Sequence, residues 1–473
     1  MLYLSRTFVL AAGLAFASFI PAKAQIVSDE AVIIFTANDG VHGRELWVTD
    51  GTHDGTVLLA DINEGPDNSA PQWLTATEDG RVFFQANNGR NGAELWVTDG
   101  TSDGTRMVRD IRDGPEGSSP SSITYIGNGR VVFSARTDEA GRETWISDGT
   151  FLGTFQLLDS TPGPDNGSPR NFTRLSESTF MFGAERNEQR RIWVSDGTPE
   201  GTTMVPGPLR DMIEAAPIDD TAVVINATHP NRGRHPWIYD LSTGDRPELL
   251  RRINNVTSSN PRSFTQLANG SLIFRARHHD RGIELFITDG TRGGTKRVKD
   301  LARGPASSSP RNFTPLTEDR DIFVFRTVGD AAEGVAPGLW RTDGTGSGTQ
   351  RLKNRLEVTE IVRIADGLVV FRGFDRRNEN TMSHGATPWV TDGTREGTRR
   401  ITRTNRQGTS HSQNFAAIGG GLAIFSSRSG NRGDEPYITD GTAEGTFRLK
   451  DINPGAASSS PSFFTPLAVM KMP

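Results

Sequence analysis

Short apolar runs separated by polar turns recur along the chain, and none is long enough to suggest a helix. One stretch shows the pattern: QWLTA at 72–76, a turn at Glu78-Asp79-Gly80, VFFQA at 82–86, a polar loop, ELWVT at 94–98 and RMVRDI at 106–111. Each run spans four to six residues, is rich in β-branched or aromatic side chains, and is bounded by Gly, Asn, Asp or Pro. That combination predicts strands. The four runs make one antiparallel unit, whose strands are lettered a, b, c and d in order.

The unit repeats. The Asp that follows strand c returns at Asp50, Asp99, Asp148, Asp196, Asp240, Asp289, Asp343, Asp392 and Asp440, at spacings of 49, 49, 48, 44, 49, 54, 49 and 48 residues. A fixed period of this length marks one supersecondary unit stacked many times. Four-stranded units repeated radially are propeller blades, so the expected fold is an all-β propeller of about nine blades. An eight-bladed ring with the fifth unit extruded, or an open array, would carry the same repeats. The first unit starts at its strand b, VIIF at 32–35, and a spare strand a, FFTPL at 463–467, follows the ninth unit. Their pairing would close the ring and remove its exposed edges.

Glu45-Leu46-Trp47 followed by Asp50-Gly51-Thr52 resembles the motif that names the ELWxxDGT-repeat proteins, a family of secreted bacterial chains. The resemblance covers nearly everything after residue 30. It implies an architecture and no particular activity.

Within the motif, Asp50, Asp99, Asp148, Asp196, Asp289, Asp343, Asp392 and Asp440 open an Asp-Gly-Thr-x-x-Gly-Thr turn between strands c and d. Asp at a strand end accepts backbone N–H groups and Thr hydroxyls bond nearby backbone, so these are read as structural turn residues. Calcium is the competing reading, but each turn offers one carboxylate where Ca²⁺ takes six to eight oxygens, and no metal or cofactor is expected. Trp47, Trp96, Trp145, Trp193, Trp237, Trp340 and Trp389 stand three residues before the Asp, with Phe286 and Tyr437 in the other two units. An aromatic in every unit is read as packing between blades rather than as a sugar platform.

Composition narrows the setting. Residues 1–24 carry Arg6, an apolar run and Ala22-Lys23-Ala24, the pattern of a signal peptide, so the mature domain is expected to be residues 25–473, exported to the periplasm or beyond. No other stretch is apolar enough for a membrane span. There is no Cys, hence no disulfide and no thiol chemistry. Losing Arg6 and Lys23 takes the net charge from -5 to -7, which disfavours nucleic acid as a partner. A glycan or protein partner and a monomeric chain are expected.

The units differ on one face. From the last apolar residue of strand b to the strand c aromatic is 12 residues in most units, but 15 from Phe325 to Trp340 and 18 from Phe371 to Trp389. These b–c loops share a face with the start of strand a, where Arg170, Arg262 and Arg311 stand in three units, Gln72 and Gln413 in two, and Ser121 and Ser462 in two more. Guanidinium groups converging at a channel mouth suit carboxylate, sulfate or phosphate, unless each pairs with an acid such as Asp211. The favoured reading is therefore a non-catalytic binding propeller for an anionic or polyhydroxylated ligand. The alternative is a carbohydrate-active hydrolase or lyase built from acids such as Glu333, Asp375 and Glu379. His229, His235, His278, His279 and His384 show no metal-ligand spacing, and adjacent His278 and His279 should point apart in a strand or loop.

Overall fold

A computed structural model describes residues 31–376, 386–401, 409–430 and 432–468. Among them there are thirty-six strands, β1 to β36 in chain order, and no helix. They form nine antiparallel sheets of four strands each. The fifth unit is a full blade, with strands at Arg210–Pro217, Ala222–His229, Gly233–Asp240 and Glu248–Leu249. The inner strands of successive blades touch one another all the way round, so the nine sheets close as a β-propeller.

Closure occurs in blade 1. There β1 (Ala31–Asn38), β2 (Arg44–Thr49) and β3 (Val57–Ala60) form strands b, c and d, and β36 (Ser462–Ala468) supplies strand a. Val32 pairs with Leu467 and Ile34 with Thr465. The Thr36 and Ser462 hydroxyls meet at 3.0 Å, and Arg44 donates to the Ser460 carbonyl.

The core lies between blades. Strand b is apolar on both sides, as in Val82–Asn87, where Phe83 and Phe84 are both fully buried. Phe83 packs with Phe133 and Trp145 of blade 3, while Ile33, Phe35 and Trp47 of blade 1 pack with Ile424 and Ile438 of blade 9. The strand c aromatic sits on the strand b Phe of its own blade, as in Phe35–Trp47 at 6.4 Å and Phe325–Trp340 at 6.4 Å between ring centroids. Trp47, Trp145, Trp193, Trp237, Trp340 and Trp389 are buried with Phe286 and Tyr437, whereas Trp96 is half-buried.

Every inner strand carries the same irregularity. Its ladder with strand b breaks register, as between Gln72 and Thr75 or between Arg262 and Thr265. One residue in that slip takes a left-handed backbone: Phe463, Trp73, Ser122, Asn171, Asp211, Ser263, Asn312, Glu360 and Asn414 in blades 1 to 9. This is a β-bulge, which bends the strand and re-aims its first side chains.

Candidate functional site

Each blade presents two ends. The c–d turns and the a–b turns lie on one face, and the b–c loops and the connectors into strand a lie on the other.

The first face is uniform. In blade 2 the Asp99 Oδ1 accepts the Thr101 N–H at 2.9 Å and its hydroxyl at 2.6 Å; Gly104 N–H donates to Thr101 Oγ1, and Thr105 Oγ1 donates to the Thr101 carbonyl. The Thr101 hydroxyl holds the Asp99 carboxyl below its usual range. The same Asp–Thr contacts recur at Asp50, Asp148, Asp196, Asp289, Asp343, Asp392 and Asp440. Blade 5 keeps a reduced version, with Ser242 donating to Asp240.

A second carboxylate on strand c escaped the sequence reading. Glu45, Glu94, Glu143, Glu284 and Glu435, the Glu of the ELW run, are all fully buried. Glu94 accepts the Ser118 N–H at 2.6 Å, the Ser118 hydroxyl at 2.5 Å and the Arg112 N–H at 3.2 Å. It thereby folds down the connector to the next blade, as Glu284 does with Leu301 and Ser308. Burial pushes Glu94 and Glu284 up to about 7. The signal was present in the alternation: Glu94 and Trp96 are two apart and share a face of the strand.

The opposite face is varied. The register places Ser462, Gln72, Ser121, Arg170, Arg210, Arg262, Arg311, Thr359 and Gln413 at one equivalent position in blades 1 to 9, immediately before the left-handed residue. Arg210 completes an arc of four arginines over blades 4 to 7. Gln72, Arg170 and Arg311 are exposed there, while Arg210, Arg262 and Gln413 are half-buried. A cleft of about 370 Å³ between blades 4 and 5 brings Arg170 and Arg234 together with Asp211. Asp211 is paired with Arg210, at 3.9 Å.

The arc deepens in blades 6 and 7. Arg262 stands directly opposite Arg275 on strand b, and Arg311 opposite Arg326. The acid nearest the first pair, Glu214, has both oxygens taken by the Ser263 and Phe264 N–H groups. Arg275 Nε is buried without an acceptor. Burial, with Arg311 and Arg262 alongside, pushes its guanidinium down to about 10.

The other sequence candidates are not gathered into one site. Glu333 is exposed in the blade 7 loop, which folds as a small hairpin through Asp330 and Val335, and Asp375 ends strand b of blade 8. Glu379, His384, most of the blade 8 loop and the signal-peptide segment lie outside the described residues. His235 is buried, with Nδ1 3.0 Å from Ser259 Oγ, in the place of the strand c Glu. His229 stacks on Trp237. The expectation that His278 and His279 point apart is incorrect, since their rings stack at 4.3 Å. His278 is the last residue of its strand, so the pleat that would separate neighbours has ended. With Asp280 the two place three ligand-type atoms within 4.8 Å, His279 and Asp280 being exposed.

No family model and no curated protein matches the sequence. Among solved structures, the crystal structure of the tricorn protease aligns with 87% of this chain and 41% of its own, at 12% identity and a TM-score of 0.38. That of puromycin hydrolase aligns with 70% of this chain and 53% of its own, at 13% identity and a TM-score of 0.34. The chain therefore spans about half of those proteins or less.

Proposed function

We propose that this is an exported binding propeller whose strand-a face takes an acidic ligand, in the first instance an acidic glycan. The observation that carries the reading is the arc Arg170, Arg210, Arg262 and Arg311 at one repeated position, backed by Arg275 and Arg326. Planar guanidinium groups bind carboxylate, sulfate and phosphate through paired N–H donors. A rigid ring that repeats such a donor at each blade suits a ligand with repeated negative charge. The uniform turn face has its Asp and Thr groups engaged with one another.

The test is calorimetric titration of a hexagalacturonate and of a neutral hexaose at two salt concentrations. The variant R170Q/R262Q/R311Q should bind the acidic ligand at least about tenfold more weakly, with a flatter salt dependence, each charge-assisted contact contributing about 1.5 to 3 kcal/mol. Unchanged binding by the triple variant, with loss on altering the turn face, would place the ligand on the other side. Release of shortened products during the titration would replace binding with hydrolysis or lyase chemistry.

A further inference from the structure

Seven of the eight Trp belong to the ELW position; the eighth, Trp73, belongs to the inner strand of blade 2. It is 45% exposed, and Phe463 at the equivalent place in blade 1 is 48% exposed. Both rings therefore stand free at the channel mouth, on inner strands that touch. Neither stacks on another aromatic ring among the described residues.

Their backbone makes this arrangement costly. Trp73 has φ of 60° and Phe463 of 58°, a region that bulky side chains rarely adopt. In blades 4, 8 and 9 the same position holds a side chain that repays the conformation. Asn171 Nδ2 donates to the Met212 carbonyl of the next inner strand, Asn414 Nδ2 donates to Pro461, and Glu360 accepts the Phe415 N–H. Asn is also among the residues most tolerant of this backbone. Trp73 and Phe463 make no such tie, so blades 1 and 2 keep strained, solvent-facing aromatics where Asn would serve the fold better. Strain held without structural return gathers at functional sites.

The surroundings say what the rings face. Gln72 stands opposite Gln85, and Ser462 opposite Thr36, so polar donors and acceptors flank the pair, and the nearby Arg44 guanidinium is engaged by Thr36 Oγ1 and the Ser460 carbonyl. In a ring of nine, blades 1 and 2 lie across the axis from the arginine arc of blades 4 to 7. We propose that Trp73 and Phe463 form a stacking platform for a pyranose ring, whose apolar C–H face lies on the aromatics while its hydroxyls meet the Gln, Ser and Thr groups. This rests on the reading of the same face as a glycan site. It assigns the sugar ring to one sector and the acidic substituents to the other.

Trp73 gives the experiment its own probe, since six of the other Trp are only 3–7% exposed. In the full chain, cellohexaose, chitohexaose and hexagalacturonate are added while acrylamide quenching of tryptophan fluorescence is measured. At least one should shield the exposed tryptophan, and W73N/F463N should bind that sugar at least about tenfold more weakly with its salt dependence unchanged. The same variant should melt at or above the parent temperature, because Asn relieves the backbone and removes exposed apolar surface. Loss of binding with a lowered melting temperature would make the pair structural and overturn the proposal. So would a lack of shielding by all three sugars, or self-association of the parent that W73N/F463N abolishes, which would make a second copy the occupant. The arginine variants separate this inference from the broader one: they flatten salt dependence and leave neutral-sugar shielding intact.

Discussion

The Asp99 carboxylate lies in the space where Gly104 would carry a Cβ, and the two are held so by the Thr101 hydroxyl between them. The backbone of Gly104 is not left-handed, so the glycine is required for room rather than for conformation. The same overlap faces Gly55, Gly153, Gly201, Gly294, Gly348, Gly397 and Gly445, which accounts for the second Gly of the repeated turn.

Gly104→Ala should lose about 1 to 3 kcal/mol by overpacking, and Asp99→Ala a similar amount by leaving donors unpaired. Removing the carboxylate makes room for the methyl group, so D99A/G104A should cost clearly less than the sum of the two. Urea unfolding of the four proteins measures the coupling. Strict additivity would mean that the two groups do not compete. Calcium should leave all four midpoints where they are, and a rise confined to the proteins retaining Asp99 would establish a metal there.

Removing β36 tests closure. Phe464 and Leu467 are buried, at 8% and 5% exposure, against blades 9 and 2. Each large side chain contributes roughly 1.5 to 3 kcal/mol of burial, so a chain ending at Pro461 should lose several kcal/mol and gain a tendency to aggregate through the freed edge of β1. A melting temperature equal to that of the full chain would show that β36 does not hold the ring.

The buried glutamates predict a pH dependence. Glu94 and Glu284 are raised from an ordinary value near 4.5 to about 7, so the native state holds their protons more tightly than the unfolded chain does. The stability this linkage contributes is fully present below pH 4.5 and is lost as pH rises through 7. Ser118 Oγ can donate to the carboxylate or accept from the acid, so both forms are accommodated. Stability measured by denaturant from pH 5 to 8 should fall, and E94Q/E284Q should flatten that fall while lowering stability throughout, because an amide offers one acceptor where two oxygens took three donors. A parent profile that rises over this window would contradict the assignment.

The facing arginines predict a stabilising substitution. Like charges directly opposite on a ladder disfavour the sheet by about 0.2 to 1 kcal/mol. In protein free of ligand, Arg275→Gln should therefore keep or raise the melting temperature, and the gain should shrink as salt is added. A substantial loss that salt does not alter would mean that Arg275 packs as part of the core.

The repeat made much of the architecture legible. Period, strand order, blade count and the closing strand follow from apolar runs and turn residues, because each blade must bury the same faces against its neighbours. The varied face was legible chiefly where proline marks the start of strand a, Gln413 after Ser412 being the exception. Arg170, Arg262 and Arg311 follow such a proline, whereas Arg210 follows Leu209 and Thr359 lies deep in a longer strand, Leu356–Ala365. Arg275 and Arg326 could not be placed opposite Arg262 and Arg311, because a bulge shifts the register beyond it by an amount that apolar spacing does not encode. A trace of the bulge does exist in the Asn or Asp that follows Arg170, Arg210 and Arg311, residues that tolerate left-handed backbone.

The pairing of β1 with β36 also sets an order of events. Thr36 and Ser462 are 426 positions apart in the chain, so blade 1 is completed only by pairing the first described strand with the last. A chain that emerges from its N-terminus must keep the edge of β1 unpaired until the last blade has been made. Blades 2 to 9 each hold their own four strands and can form as they appear. The slow step of folding should therefore be the final latch rather than any blade, and during that wait the open edge of β1 is where two nascent chains would join by mistake.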